Sequence, residues 1–196
     1  MARRAAPMSP EQRRAALVDA TLPLLYEHGR SVTTRLIAEA AGVAEGTIFR
    51  VFATKDELVD AALAKAFDPG RAVEDLRAIP MDLPLRERAV AMVRLMQQRF
   101  ARVFHLMRAL GIQGPPEIPT DPQHARRVQQ TLAAMIDVIK PDQDQLTMPA
   151  AGVVQMLRLL TFSGTHPKFA GSDTLTPEQI VDTVLYGAVR RPEEGR

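Results

Sequence analysis

Along most of the chain apolar residues recur three and four positions apart, and no stretch sustains a period of two. That pattern predicts helices throughout and no strands. Several helix starts are spelled out. Ser9-Pro10-Glu11-Gln12 and Thr176-Pro177-Glu178-Gln179 each place a hydroxyl cap before Pro and put Gln at the third helical position. Thr54-Lys55-Asp56-Glu57 repeats the box with Glu. In such a box the hydroxyl oxygen accepts from the third backbone N–H, and the third side chain reaches back to the cap. The spacing then predicts helices over 10–28, 34–41, 45–52, 55–67, 85–110, 122–139, 148–162 and 177–189, with a weak piece over 71–78. Gly29 stops the first, and the proline-rich stretch 111–122 is a loop.

The most informative segment is 33–55, Thr-Thr-Arg-Leu-Ile-Ala-Glu-Ala-Ala-Gly-Val-Ala-Glu-Gly-Thr-Ile-Phe-Arg-Val-Phe-Ala-Thr-Lys. Two short helices with Gly42 between them read as a helix-turn-helix. Ile37, Ala38 and Ala41 face inward from the first, and Val43 plugs the turn. At about 100° per residue, Ile48, Val51 and Phe52 share the core face of the second. Gly46, Thr47, Phe49 and Arg50 lie on or beside the opposite face. A short helix displaying Arg, Thr and Gly outward suits close approach to a major groove. Arg50 offers a partner for guanine or phosphate, Thr47 for phosphate or a thymine methyl, and Glu45 either for cytosine or only for the N-terminus of its own helix. Thr33, Thr34, Arg35 and Lys55 flank the helix as phosphate partners, although each also reads as an ordinary cap or solvated surface residue.

Charge does not add to this picture. The 196 residues carry 25 basic and 23 acidic side chains, a net of +2. Arg dominates the basic residues; it suits phosphate, but a genome composition bias produces the same excess. The absence of Cys excludes disulfides, thiolate metal sites and Cys nucleophiles.

With these motifs in place, the segment resembles the DNA-binding domain of the tetracycline-repressor (TetR) family of bacterial regulators. The resemblance covers about 10–58. It implies an all-α protein with an N-terminal three-helix DNA-binding domain, 1–54, and a larger helical regulatory and dimerisation domain, 55–196. It also implies a homodimer on double-stranded DNA with a palindromic operator, its last two helices forming a four-helix bundle across the two-fold axis. By position, Thr33, Thr34 and Arg35 match the start of the family's second helix. Ala44, Glu45, Gly46, Thr47, Phe49 and Arg50 match its recognition helix, and Lys55 the basic residue that follows. Ala44 departs from the frequent Ser cap, a loss of about 1 kcal/mol. Phe49 replaces a frequent Tyr and Val51 a frequent Tyr or His. Arg3, Arg4, Arg13 and Arg14 form either a tail that reaches DNA or a solvated one.

In the 85–110 helix an apolar arc contains Met92, Met96, Phe100, Phe104 and Met107, while Arg86, Arg88, Arg94, Arg99, Arg102 and Arg108 read as its outer face. The arc is either core or the wall of a small-molecule effector site, closed by Leu132 and Met135 of the next helix, with Gln97 and His105 as its polar candidates. Val153, Met156, Leu157, Leu160, Ile180, Val184 and Leu185 are read as the dimer interface, as remaining core, or as both. No catalytic motif, paired metal ligands or cofactor site stands out. No targeting or membrane-spanning segment is visible, and the expectation is a cytoplasmic repressor. The competing reading is a helical small-molecule-binding protein or enzyme in which the helix-turn-helix only packs.

Overall fold

The computed structural model describes residues 8–112, 122–171 and 173–187. Among them it has helices α1 (Pro10–His28), α2 (Thr34–Ala40), α3 (Lys55–Phe67), α4 (Ala72–Arg77), α5 (Leu85–Ala109), α6 (Pro122–Ile139), α7 (Ala150–Thr165), α8 (Pro167–Ala170) and α9 (Pro177–Tyr186). Short 3-10 helices occupy Gly29–Ser31, Glu45–Arg50 and Lys140–Gln145. No strand occurs among the described residues.

The caps explain where the helices begin. Ser9 accepts from Gln12 and Thr176 from Gln179, and both glutamines return the bond to the cap backbone. Thr54 accepts from the Glu57 N–H at 3.0 Å, but Glu57 reaches one residue further back, to the Ala53 N–H at 2.8 Å. Several bounds differ from the sequence reading; α7 begins at Ala150 rather than 148 and runs to Thr165 rather than 162. Helix α9 stops at Tyr186, because Gly187 takes φ 76° and closes it. Helix α8 was not anticipated; it is four residues long, and its cap is the His166 imidazole, which accepts from the Lys168 N–H at 3.2 Å.

The chain forms two compact units. The first comprises the described residues of Met1–Asp68 and His105–Pro119, the second those of Pro69–Phe104 and Thr120–Arg196. The division between these units falls after 68 and again within α5. The reason is burial: Leu58 and Ala62 of α3 and Leu106 and Leu110 join Leu17, Leu25, Ile37, Ile48 and Phe52 in one core. Full burial of a Leu, Ile or Phe side chain stabilises by about 1.5–3 kcal/mol. The 3-10 turn after α1 is equally committed. Gly29 has φ 55°, and a Cβ there would sit 2.2 Å from the Ala109 carbonyl oxygen.

In the second unit Met92, Met96, Val138, Ile139, Val153, Leu157 and Ile180 are core residues. Here Arg88 departs from the sequence reading of an Arg-coated outer face, whereas Arg94, Arg102 and Arg108 are exposed as that reading has them. Arg88 is only 4% exposed. Its guanidinium donates to the carbonyls of Val138 at 3.1 Å, Met81 at 3.2 Å and Leu83 at 2.7 Å, and pairs with Asp142. Arg86 grips Asp182 of α9 bidentately at 2.7 and 2.8 Å, and Arg94 meets Glu178 at 3.0 Å. The Arg86 hydrogen bonds, helped by its charge, hold the Asp182 carboxyl below the usual carboxylate range.

Candidate nucleic-acid interface

Local chemistry builds the helix-turn-helix in the first unit. Thr33 caps α2 by accepting from the Leu36 N–H at 3.3 Å. Gly42 then adopts φ 64°, a left-handed conformation that costs other residues energy. The turn closes when the Val43 N–H donates to the Ala38 carbonyl at 3.0 Å. Ala44 offers no side-chain cap, and the second element is a 3-10 helix over Glu45–Arg50 rather than the α-helix over 45–52 that periodicity predicts. The Val51 and Phe52 N–H groups share the Ile48 carbonyl, both at 2.9 Å. Ile48 and Phe52 are buried and Val51 half-buried against the same core, so the inward face is the one the sequence specifies.

The outward face divides into groups with internal partners and groups presented to solvent. Thr34 Oγ1 donates to Glu45 Oε1, which ties the start of α2 to the start of the 3-10 helix. That bond occupies one oxygen of the carboxylate read as a cytosine acceptor. Lys55 Nζ donates to the Val32 carbonyl at 3.2 Å, so the lysine braces the entry to α2 from α3. Arg14 lies over the Phe52 ring, 4.1 Å from its centroid, and 3.6 Å from Glu57. Arg13 donates to the Met8 carbonyl at 3.3 Å. Arg3 and Arg4 lie outside the described residues. Arg35, Ala44, Gly46 and Arg50 are exposed, Thr47 is half-buried, and the Phe49 side chain stands in solvent at 53% exposure. A Cβ at Gly46 would meet no atom of the chain within 4 Å. The glycine is therefore not required by packing and leaves the backbone open to a partner.

The residues assigned to an effector site and an interface fall in the second unit, Met107 excepted. Met92, Met96 and Phe104 are buried, Phe100 and Met135 are half-buried against the core, and Leu132 is 36% exposed. Met107 belongs to the first unit. Phe100 stacks on Phe104 at 6.0 Å, and Phe162 meets both edge-on at 5.5 and 5.2 Å. Gln97 is spent on the Leu175 carbonyl at 2.7 Å, and His105 lies 5.5 Å from the Tyr26 ring. Val153, Leu157 and Ile180, read as interface, are buried in the chain's own core, with Leu160, Val184 and Leu185 partly buried against it. Of the named interface residues Met156 is exposed, and Leu159, Phe162 and Tyr186, which were not named, are exposed with it. Helix α7 is apolar on nearly every side, so periodicity does not separate its inner from its outer face.

Known proteins share this organisation. Residues 17–62 match the family model of bacterial regulatory proteins of the tetR family. The HTH-type transcriptional repressor KstR of Rhodococcus jostii is 27% identical over 193 residues, covering 93% of this chain and 87% of the relative. YvkB, an HTH-type transcriptional regulator of Bacillus subtilis, is 46% identical over 59 residues, 30% of each chain. A crystal structure of a transcriptional regulator from Pseudomonas aeruginosa PAO1 superposes with a TM-score of 0.58 at 25% identity, covering 90% of this chain and 88% of the other. Among the described residues no group of three or more His, Cys, Asp or Glu is placed to hold a metal ion, and no helix is long and apolar enough to cross a membrane.

Proposed function

Because the chain belongs to the tetR family of bacterial regulatory proteins, we propose that it is a cytoplasmic, sequence-specific transcriptional repressor that binds a palindromic operator as a homodimer and leaves it on binding a small apolar or amphipathic ligand. The observation that carries the reading is the two-sidedness of Glu45–Arg50. Ile48 is buried with Phe52, while Gly46, Phe49 and Arg50 are turned to solvent. An element of this size presents those side chains to base edges in a major groove. Thr33, Thr34, Arg35 and Lys55 then lie beside the phosphates, with Lys55 and Thr34 acting as braces as well as contacts.

Two copies related by a two-fold axis put two such elements in successive major grooves, about 34–36 Å apart. The exposed Met156, Leu159 and Phe162 of α7 and Tyr186 of α9 support a second copy as the cover for this face, which a lone chain would leave in water. The cluster of Phe100, Phe104 and Phe162 supports an apolar effector. Such a ligand acts by favouring the dimer geometry that fits the operator poorly, and it shifts the population only by its differential affinity. No catalytic step enters the proposal.

Selection of genomic DNA fragments with the purified protein, at two salt concentrations, tests the reading. A palindromic motif is expected with wild type and its loss with Arg50→Ala. Salt-sensitive binding without a motif reduces the interaction to backbone electrostatics, and no binding at either salt overturns the regulator.

A further inference from the structure

Phe49 is an anomaly in the first unit. Apart from Met8 near the N-terminus it is the large apolar side chain left exposed among the described residues there, with just over half of its surface in water. It sits between Ile48, which is buried, and Arg50, which is exposed, so both Phe49 and Arg50 belong to the part of this element left to solvent. The ring carries no polar atom and is unsuited to a phosphate oxygen. Its neighbours on that face leave room for a partner: Gly46 is open to a distance of 4 Å, and Glu45 is drawn toward Thr34. In a major groove the apolar feature that distinguishes one base pair from another is the 5-methyl group of thymine.

We propose that Phe49 is a specificity-determining residue that packs on a thymine 5-methyl group, one in each half of the operator. The inference rests on the DNA-binding reading above and deepens it. Arg50 then supplies a charged contact and Phe49 an apolar one from adjacent positions of a single short helix. The phenyl group excludes water from the methyl, so the preference is for thymine over cytosine or uracil at that position, with little dependence on salt. A phosphate contact, by contrast, would be weakened by salt across all sequences.

Deoxyuridine substitution isolates this contact, because it removes the methyl group and leaves the hydrogen-bonding edge of the base unchanged. Each thymine of the selected site is replaced in turn, and binding is measured for wild type, Phe49→Ala and Phe49→Leu. For wild type one thymine per half-site is expected to stand out, with an affinity loss of about fourfold for each methyl removed, the factor associated with one methylene-sized group. Phe49→Ala should lose a similar factor on the thymine-containing site and nothing more on the uracil-containing one. Phe49→Leu should keep part of the discrimination. Thermal melts should match wild type, since the side chain is not part of the core. A motif that depends on Arg50 but shows the same methyl dependence in wild type and Phe49→Ala overturns the assignment of Phe49 and leaves the regulator standing. A selected half-site without thymine does the same. Failure to select any motif with wild type overturns both.

Discussion

Gly46→Ala separates what the fold requires from what DNA requires. The added methyl group would meet no atom of the chain within 4 Å, so there is nothing for it to displace. Gly46 also lacks a positive φ, so Ala adopts its conformation without strain. Reduced freedom of the unfolded chain should then stabilise the first unit by about 0.4–1 kcal/mol. For a domain of 60–100 residues that corresponds to a rise in Tm of about 2–8 °C. The effect on DNA binding has the opposite sign. A methyl group on the groove side holds the element away from the base edges and loosens the contact made by Arg50. A good base contact contributes about 1–3 kcal/mol, so affinity for the selected operator should fall by about 5- to 150-fold per half-site. Calorimetry of the free protein and fluorescence anisotropy with the operator read the two quantities on one sample. Unchanged affinity would refute the close approach of the backbone to DNA. A lower Tm would refute the open space around Gly46.

Three further outcomes follow from the packing. Gly29→Ala places a Cβ 2.2 Å from a backbone oxygen at φ 55°, so strain of about 1–3 kcal/mol plus displacement of Ala109 should destabilise the first unit in denaturant melts; wild-type stability would contradict that approach. Arg88→Met leaves three carbonyls and Asp142 without the guanidinium, and its loss should cost about 3–5 kcal/mol, the scale for removing one partner of a buried pair, with Arg88→Lys restoring only part. The Asp182 carboxyl is held low by Arg86, so its contribution is complete above the unfolded carboxylate pKa and is lost as pH falls from about 4 through the lower folded value. Asp182→Asn should therefore be less stable than wild type near neutrality and should flatten the acid limb of a pH–stability curve; parallel curves would remove the pair from the account.

The N-terminal ends of α1, α2, α3 and α9 were legible because they depend on neighbours in sequence. Ser9, Thr33, Thr54 and Thr176 all cap the helices they precede. The inward face of the helix-turn-helix was legible for the same reason, since Ile37, Ala38, Ile48 and Phe52 are fixed by spacing. What escaped depends on distant partners. Periodicity placed Arg88 away from the apolar arc, but the carbonyls that surround it come from a loop and from the end of α6. The Thr34–Glu45 bond joins residues 11 apart through side-chain geometry alone. Ala44 signalled a missing cap, yet not that the element after it would tighten into a 3-10 helix.

Leu106 and Leu110 lie far along the chain from residue 68, yet they fill the core of the first unit. The unit that carries Arg50 is thus not a continuous piece of sequence. A fragment ending at 68 would present a hole where those two leucines sit, and a chimera made by grafting the first 68 residues onto another helical body would inherit whatever side chains that body supplies at those two places. Exchange of DNA-reading heads between relatives, by recombination or by engineering, is therefore constrained at two joints, and the second lies inside α5. A head transplanted together with 105–112 should fold where the simpler transplant does not.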